Sequence, residues 1–206
     1  KRPVLMTHLA NADDVNNELT DQQQHHFERL TQSCGFSKSV CNSAALLQFP
    51  SMHYDWVRPG IMLYGISPLV NKVGQDCDLR PAMHLSAKLI SIKQLNRGDV
   101  VGYGSEYQCQ QNMRLGIVNI GYGDGYPRHA VSGTPVLING IECPLVGRVS
   151  MDMMAVALPK HKQINIGDKV TLWGGGLPIE RVASYAGTIA YELMNKLTRR
   201  VEMRYV

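Results

Sequence analysis

One change of pattern constrains this chain more than any other feature. Between about residues 70 and 80 the apolar residues stop alternating between strand-like and helix-like pieces and begin a series of period-two strands. Upstream, Pro3-Val4-Leu5-Met6-Thr7-His8 reads as a short buried strand. Asp21 is placed to N-cap a helix whose apolar face includes Phe27 and Leu30. Ser39-Val40-Cys41 and Trp56-Val57-Arg58 follow as further strands, each ending in polar or glycine-containing turns. That rhythm belongs to a parallel α/β fold.

Downstream, Leu85-Ser86-Ala87-Lys88-Leu89 alternates with period two, and Leu115 to Ile120 forms another apolar strand. Asn139-Gly140 between Val136-Leu137-Ile138 and Ile141 is the pair favoured in a tight hairpin. Val170-Thr171-Leu172-Trp173 adds a strand before three glycines. A single helix starting near Pro178 places Ile179, Val182, Ala186, Ile189, Leu193 and Leu197 close to one face. The polar run Lys72-Val73-Gly74-Gln75-Asp76 marks the boundary, giving an α/β portion over residues 1–78 and a mainly β domain over residues 79–206. No internal repeat or low-complexity tract interrupts either part.

Charge and cysteine usage narrow the function. Twenty-one basic and seventeen acidic residues are scattered, with no Lys/Arg stripe of the kind that binds nucleic acid. A small ligand carrying a phosphate fits that balance better than a polyanion. The five cysteines are widely spaced without a C-x-x-C pair, which points to reduced thiols in the cytoplasm rather than zinc or disulfide chemistry. No stretch approaches the roughly 18 consecutive apolar residues of a membrane span, and residues 1–8 lack the apolar core of a signal peptide. A soluble protein is expected.

Several constellations offer chemistry. His8, Asn42 with Ser43, and Arg58 all stand at the carboxyl ends of expected parallel strands, where α/β barrels collect their active-site groups. Gly60 and Ile61 follow Arg58 after a proline, offering backbone N–H groups that, with the Ser43 hydroxyl, suit a phosphate. Each signal is weak alone: a histidine after a strand is more often structural, and Arg-Pro-Gly is more often just a turn. In the β part, Gly102-Tyr103-Gly104 leaves a tyrosine unobstructed, although a plain strand-end turn is the blander reading. Gly121-Tyr122-Gly123-Asp124-Gly125-Tyr126-Pro127-Arg128 packs more glycine, tyrosine and charge than a simple hairpin requires. Gly147-Arg148-Val149-Ser150-Met151-Asp152-Met153 is the third such segment, unless its methionines only fill a core.

In order and spacing, His8 to Asp14, Asn42-Ser43-Ala44-Ala45, Val57-Arg58-Pro59-Gly60-Ile61 with Tyr64-Gly65, Gly102-Tyr103-Gly104, GYGDGYPR and GRVSMDM resemble the bacterial alanine racemases across essentially the whole chain. The resemblance implies the terminal strands of a (β/α)8 barrel that binds pyridoxal 5'-phosphate (PLP), followed by a β-rich domain. It also implies a homodimer whose two sites each combine one barrel with the other subunit's β domain. The implied activity is the interconversion of L- and D-alanine by two-base α-proton exchange, supplying D-alanine for peptidoglycan.

Carried over residue by residue, the resemblance makes Tyr103 the base on the L-alanine side, approached by His8 and Arg58 of the opposite subunit. A free tyrosine has a pKa near 10, so a base working around neutrality needs roughly 4 kcal/mol of differential stabilisation from positive neighbours. Arg58 also matches the residue facing the cofactor's pyridine nitrogen. A guanidinium keeps its proton, which leaves that nitrogen unprotonated and the cofactor a weaker electron sink. Asn42, Ser43, Gly60 and Ile61 match cofactor-binding positions. Met151 matches a backbone contact to the substrate carboxylate, and Tyr122 with Asp152 matches residues lining the entrance. No metal is implied.

The departures matter as much. Nothing here resembles the family's cofactor lysine segment, nor its upstream barrel strands, nor its arginine at the cofactor's phenolic oxygen. A complete barrel of about 250 residues exceeds what residues 1–78 can form. The resemblance therefore implies that the chain is inactive alone and works with a companion N-terminal segment. Arg199 stands where some members have a phosphate-contacting tyrosine. A broad-specificity amino-acid racemase and a non-catalytic racemase-like binding or assembly module are the alternatives.

Overall fold

The computed structural model describes residues 2–205, which divide into two compact units, Lys1–Ala82 and Met83–Val206. In the first, strand β1 (Val4–Met6) leads to helix α1 (Leu19–Thr31), strand β2 (Ser37–Ser39) and helix α2 (Ser43–Gln48). β1 and β2 pair in parallel, Val4 with Ser37 and Met6 with Ser39, and Trp56 adds a parallel bridge to Ser39. Three successive segments thus run the same way, which aligns their carboxyl ends. Packing behind them is a core of Leu9, Phe27, Val40, Cys41, Ala45 and Met52, each large side chain contributing about 1.5–3 kcal/mol by leaving water.

Local details differ from the expectations. Asp21 is not the cap of α1: Glu18 holds the N-cap position without a side-chain bond, Asn17 just before it accepts the Leu19 N–H on Oδ1 at 3.1 Å, and Asp21 lies inside the first turn, where a carboxylate suits the helix dipole. Phe27 is buried against the edge of the Tyr54 ring, whereas Leu30 is exposed. The segment at Trp56 forms one bridge instead of a strand, because Pro59 and the turn at Gly60 end the extended run. β1 is not buried: Val4 and Met6 are exposed. The unit ends where Ala82 donates its N–H to the Tyr64 carbonyl.

The second unit is built on β3 (Leu85–Leu95), the short strands β4 (Val100–Val101) and β5 (Tyr107–Gln108), β6 (Met113–Val118), β7 (Pro135–Ile138), β8 (Ile141–Pro144), β9 (Met154–Leu158) and β10 (Lys169–Trp173). Six of these form one antiparallel sheet in the order β8-β7-β10-β3-β6-β9. A bridge between Leu145 and Val156 brings its two edges together, so the sheet nearly closes into a barrel and both edges are covered. Period-two alternation places Leu89, Val118, Val136, Ile138, Val156, Val170 and Leu172 inside, all without accessible surface. β7 and β8 are joined by Asn139 (φ 50°) and Gly140 (φ 76°), the left-handed pair of a tight hairpin.

The expected single helix is two, α3 (Ile179–Tyr185) and α4 (Ala190–Asn195). Gly187, with φ 61°, turns the chain between them and leaves Ile189 exposed instead of on the buried face. Among the described residues no helix is long and apolar enough to cross a membrane.

Candidate active site

The first group of candidate residues gathers at the carboxyl ends of the parallel segments. Arg58 reaches across all three: its Nη2 donates to the Thr7 carbonyl at 2.8 Å and to the Val40 carbonyl at 3.3 Å, and its Nη1 donates to Ser39 Oγ at 2.6 Å. The Arg58 N–H in turn donates to the Cys41 carbonyl. A half-buried guanidinium held by that many acceptors is fixed in direction. His8, exposed at the end of β1, has its Nε2 3.4 Å from the Asn42 Nδ2. The same amide nitrogen donates to the Leu9 carbonyl, while Asn42 Oδ1 caps α2 by accepting the Ala45 N–H at 3.0 Å. Asn42 therefore both starts α2 and faces His8.

Ser43, buried in the first turn of α2, accepts the Gly60 N–H at 2.7 Å through its hydroxyl. Gly60 is exposed, and a Cβ placed on it would meet only Ser43 Oγ, at 3.8 Å. Ile61 follows, opening a 3-10 turn (Ile61–Tyr64) with its side chain buried. The Ser43 hydroxyl and the Gly60 N–H thus meet at an exposed, uncrowded glycine. Burial pushes the nearby Cys41 thiol up, with the Arg58 charge opposing weakly, so that cysteine stays neutral and structural. Burial likewise raises Cys109, and takes Cys143 to about 11. All five cysteines are free thiols.

The second group belongs to the β-rich unit. β4 and β5 pair as a small hairpin, Val101 with Tyr107, and Tyr103 sits in the 3-10 turn at its tip with 71 % of its surface exposed. Gly102 (φ 81°) and Ser105 (φ 53°) take left-handed conformations to make that turn. The tip is braced from behind. A Cβ on Gly102 would lie 3.3 Å from the Arg148 nitrogen, one on Gly147 would lie 3.0 Å from the Val101 carbonyl, and Arg148 pairs with Glu106. GYGSEY and GRVSMDM, far apart in sequence, are one surface.

GYGDGYPR joins the same surface. Tyr122 N–H donates to the Ser150 carbonyl at 3.0 Å and Gly123 N–H to the Met151 carbonyl at 2.8 Å. Gly121 is indispensable there, since a Cβ would fall 2.2 Å from the Ser150 oxygen. Met151 and Asp152 are exposed, and Tyr122 is 38 % exposed. Tyr126 turns inward and stacks on Trp173, ring centroids 6.1 Å apart, and its burial pushes the phenol pKa strongly up. It is an anchor, not a base.

Sequence reading overlooked Arg200. Its Nη2 donates to Asp152 Oδ1 at 2.5 Å and its Nε contacts Asp124 Oδ1 at 3.0 Å, while Asp124 Oδ2 accepts the Gly121 N–H. The two carboxylates, Asp152 first, raise the guanidinium above its ordinary value. Arg199 beside it is exposed. The only signal in the sequence was the pair of basic residues itself.

Comparison with known proteins decides the family. The family model described as "Alanine racemase, C-terminal domain" matches residues 82–205, and "Alanine racemase, N-terminal domain" matches residues 3–68. The chain belongs to the alanine racemase family. The alanine racemase of Coxiella burnetii (strain RSA 331 / Henzerling II) is 51% identical over 208 aligned positions, covering 98% of this chain and 57% of the relative. That of Aeromonas hydrophila is 49% identical, with the same coverage. Among solved structures, the biosynthetic alanine racemase of Pseudomonas aeruginosa superposes with a TM-score of 0.97 at 46% identity, over 100% of this chain and 57% of that one. An alanine racemase from Bartonella henselae, solved with covalently bound pyridoxal phosphate, gives 0.89 at 30% identity, over 98% and 56%. The chain spans somewhat more than half the length of the alanine racemases it matches, and both the N-terminal and the C-terminal family domains are represented in it.

Proposed function

We propose that this chain works as part of a PLP-dependent alanine racemase, an isomerase exchanging the α-proton of alanine between two opposed bases. The observation that carries the reading is the placement of Tyr103: a phenol exposed at a hairpin tip whose backbone is braced by Gly147 and by the Glu106–Arg148 pair. A surface tyrosine held that firmly is built to meet something outside its own unit.

The residues of the first unit fit the cofactor. Ser43 Oγ and the backbone at Gly60 and Ile61 border space that even a Cβ at position 60 would not fill, which suits a phosphate accepting several short hydrogen bonds. Asn42 fixes the start of α2 and so the direction of Ser43. Arg58, tied to Thr7, Ser39 and Val40, would donate to the pyridine nitrogen while keeping its own proton. When bound, PLP supplies the electron sink that makes the α-C–H of an amino acid acidic enough to exchange.

The β-rich unit supplies the rest. Tyr103 takes the α-proton of L-alanine on its phenolic oxygen and returns it in the reverse direction. The Met151 N–H receives the substrate carboxylate, its peptide steadied by the Tyr122 N–H, which donates to the Ser150 carbonyl of that same peptide. Tyr122 and Asp152 line the entrance and limit water. In a homodimer with composite sites, His8 and Arg58 of one subunit meet Tyr103 of the other, so a single chain contributes to both sites. Such an enzyme serves in the cytoplasm, making D-alanine for peptidoglycan.

The test is racemisation by the full-length protein with PLP, followed by chiral chromatography of alanine, serine, lysine and arginine. Turnover of alanine well above the others is expected. Comparable turnover of a basic amino acid would replace alanine with a broad substrate range, and no turnover of any would leave a binding module.

A further inference from the structure

Three segments of the β-rich unit, separated by dozens of residues, meet at one guanidinium. Arg200 contacts Asp124 through Nε and Asp152 through Nη2, using different nitrogens for different carboxylates. Asp124 has a largely buried side chain and simultaneously accepts the Gly121 N–H, so the pull of Arg200 is transmitted to the start of the GYGDGYPR turn. Asp152 directly follows Met151, whose carbonyl accepts the Gly123 N–H. The C-terminal segment is fixed in turn, because Thr198 donates its hydroxyl to the Gly123 carbonyl and its N–H to the Asp124 carbonyl. Space has been left for this arrangement: a Cβ at position 123 would come within 2.5 Å of Arg200 Nη1.

We infer that Arg200 is a positioning residue: by bridging Asp124 and Asp152 it sets the Met151 peptide and Tyr122 in the register that receives the substrate carboxylate. The catalytic half of this inference rests on the racemase reading, and the geometric half does not. Arginine suits the geometry, since its planar fork presents separate N–H groups in fixed, spaced directions, whereas the three donors of a lysine ammonium sit on one atom at the end of a flexible stem and hold two carboxylates less rigidly. The clamp acts on binding. Loosening it slackens the hydrogen bond from the Tyr122 N–H to the Ser150 carbonyl, which orients the Ser150–Met151 peptide, so the Met151 N–H disperses and capture of a carboxylate weakens, while Tyr103 keeps its own bracing through Arg148 and Glu106.

The test uses the full-length protein and the variants Arg200→Gln, Arg200→Lys and Asp152→Asn. Amide hydrogen exchange reads the geometry: protection of Tyr122 and Gly123 is expected to fall roughly tenfold in Arg200→Gln, by local opening. Kinetics read the consequence: KM for L-alanine rises about tenfold with kcat within about twofold, the pattern of lost binding that is equal in ground and transition states. Arg200→Lys recovers part of both. A general loss of stability would instead lower kcat through the active fraction and leave KM alone. If Arg200→Gln does not fold, Asp152→Asn removes one exposed partner and carries the same test, with a smaller rise in KM. Unchanged protection of both amides, or unchanged KM with changed protection, overturns the inference. If the wild-type protein does not racemise alanine, the functional reading fails separately, and amide protection alone decides whether the clamp exists.

Discussion

Ser43→Ala offers a close check on the proposed phosphate cradle, because the structure separates what the hydroxyl does for the fold from what it would do for the cofactor. In the protein alone, Ser43 Oγ accepts one neutral hydrogen bond from Gly60 at 2.7 Å. Gly60 is exposed, so water can replace that acceptor and the loss of stability should sit near the low end of the usual range, about 0.5–1 kcal/mol. With phosphate bound, the hydroxyl turns its own hydrogen toward a charged oxygen, a contact worth about 1.5–3 kcal/mol. The Kd for PLP should therefore rise by roughly ten- to hundredfold, while that for pyridoxal, which lacks the phosphate, changes little. Titration of the full-length apoprotein with each compound, followed by visible absorbance, measures both. A Ser43→Ala variant that binds PLP within twofold of wild type, or that loses pyridoxal equally, refutes the assignment of Ser43 to the phosphate.

Other consequences follow from the packing. Gly125→Ala combines a φ of 102° with a Cβ 2.2 Å from the Lys196 carbonyl, so it should cost more than the roughly 1 kcal/mol of a strained backbone alone; a melting temperature within a degree of wild type would contradict this. Gly140→Ala has the same kind of backbone at φ 76° but open space around it, and its cost should stay near 1 kcal/mol. Breaking the exposed Glu106–Arg148 pair by Glu106→Gln should change global stability by less than about 1 kcal/mol, which thermal unfolding can check. The buried Cys143 thiol, pushed to about 11 in the folded chain from an ordinary 9.0, stays protonated when the unfolded chain has already ionised. It thus stabilises the fold fully below pH 9 and loses that contribution as pH rises from 9 to 11. Cys143→Ala should flatten the stability profile across that window, and identical slopes for both proteins would exclude the effect.

Much of the architecture was written in periodicity. Alternation at Leu85–Leu89 and the Asn139-Gly140 turn located strands and a hairpin because both signals are local: side chains alternate every residue in a strand, and left-handed backbone asks for Asn and Gly. What failed depended on distant partners. α3 and α4 keep a common apolar spacing, but Gly187 breaks the backbone between them, and a face-counting argument does not see the break. β1 is apolar in composition yet exposed at Val4 and Met6, since burial depends on which neighbours lie over it. At the site, Tyr103, Tyr122 and Met151 were visible as unusual residues among glycines, and their mutual bracing was not. Arg200 was invisible for the same reason. Its role comes from two carboxylates 48 and 76 positions away in the chain, and nothing in its own neighbourhood announces them.

The central claim is that the phenol of Tyr103 removes the α-proton of L-alanine. Its most direct test is exchange of that proton in heavy water by the full-length protein and by its Tyr103→Phe variant. Loss of the base should slow exchange from L-alanine by about 10²–10⁴-fold, while D-alanine, deprotonated from the opposite face, continues to take up deuterium without inverting. Equal exchange from both enantiomers in wild type and variant would contradict the account.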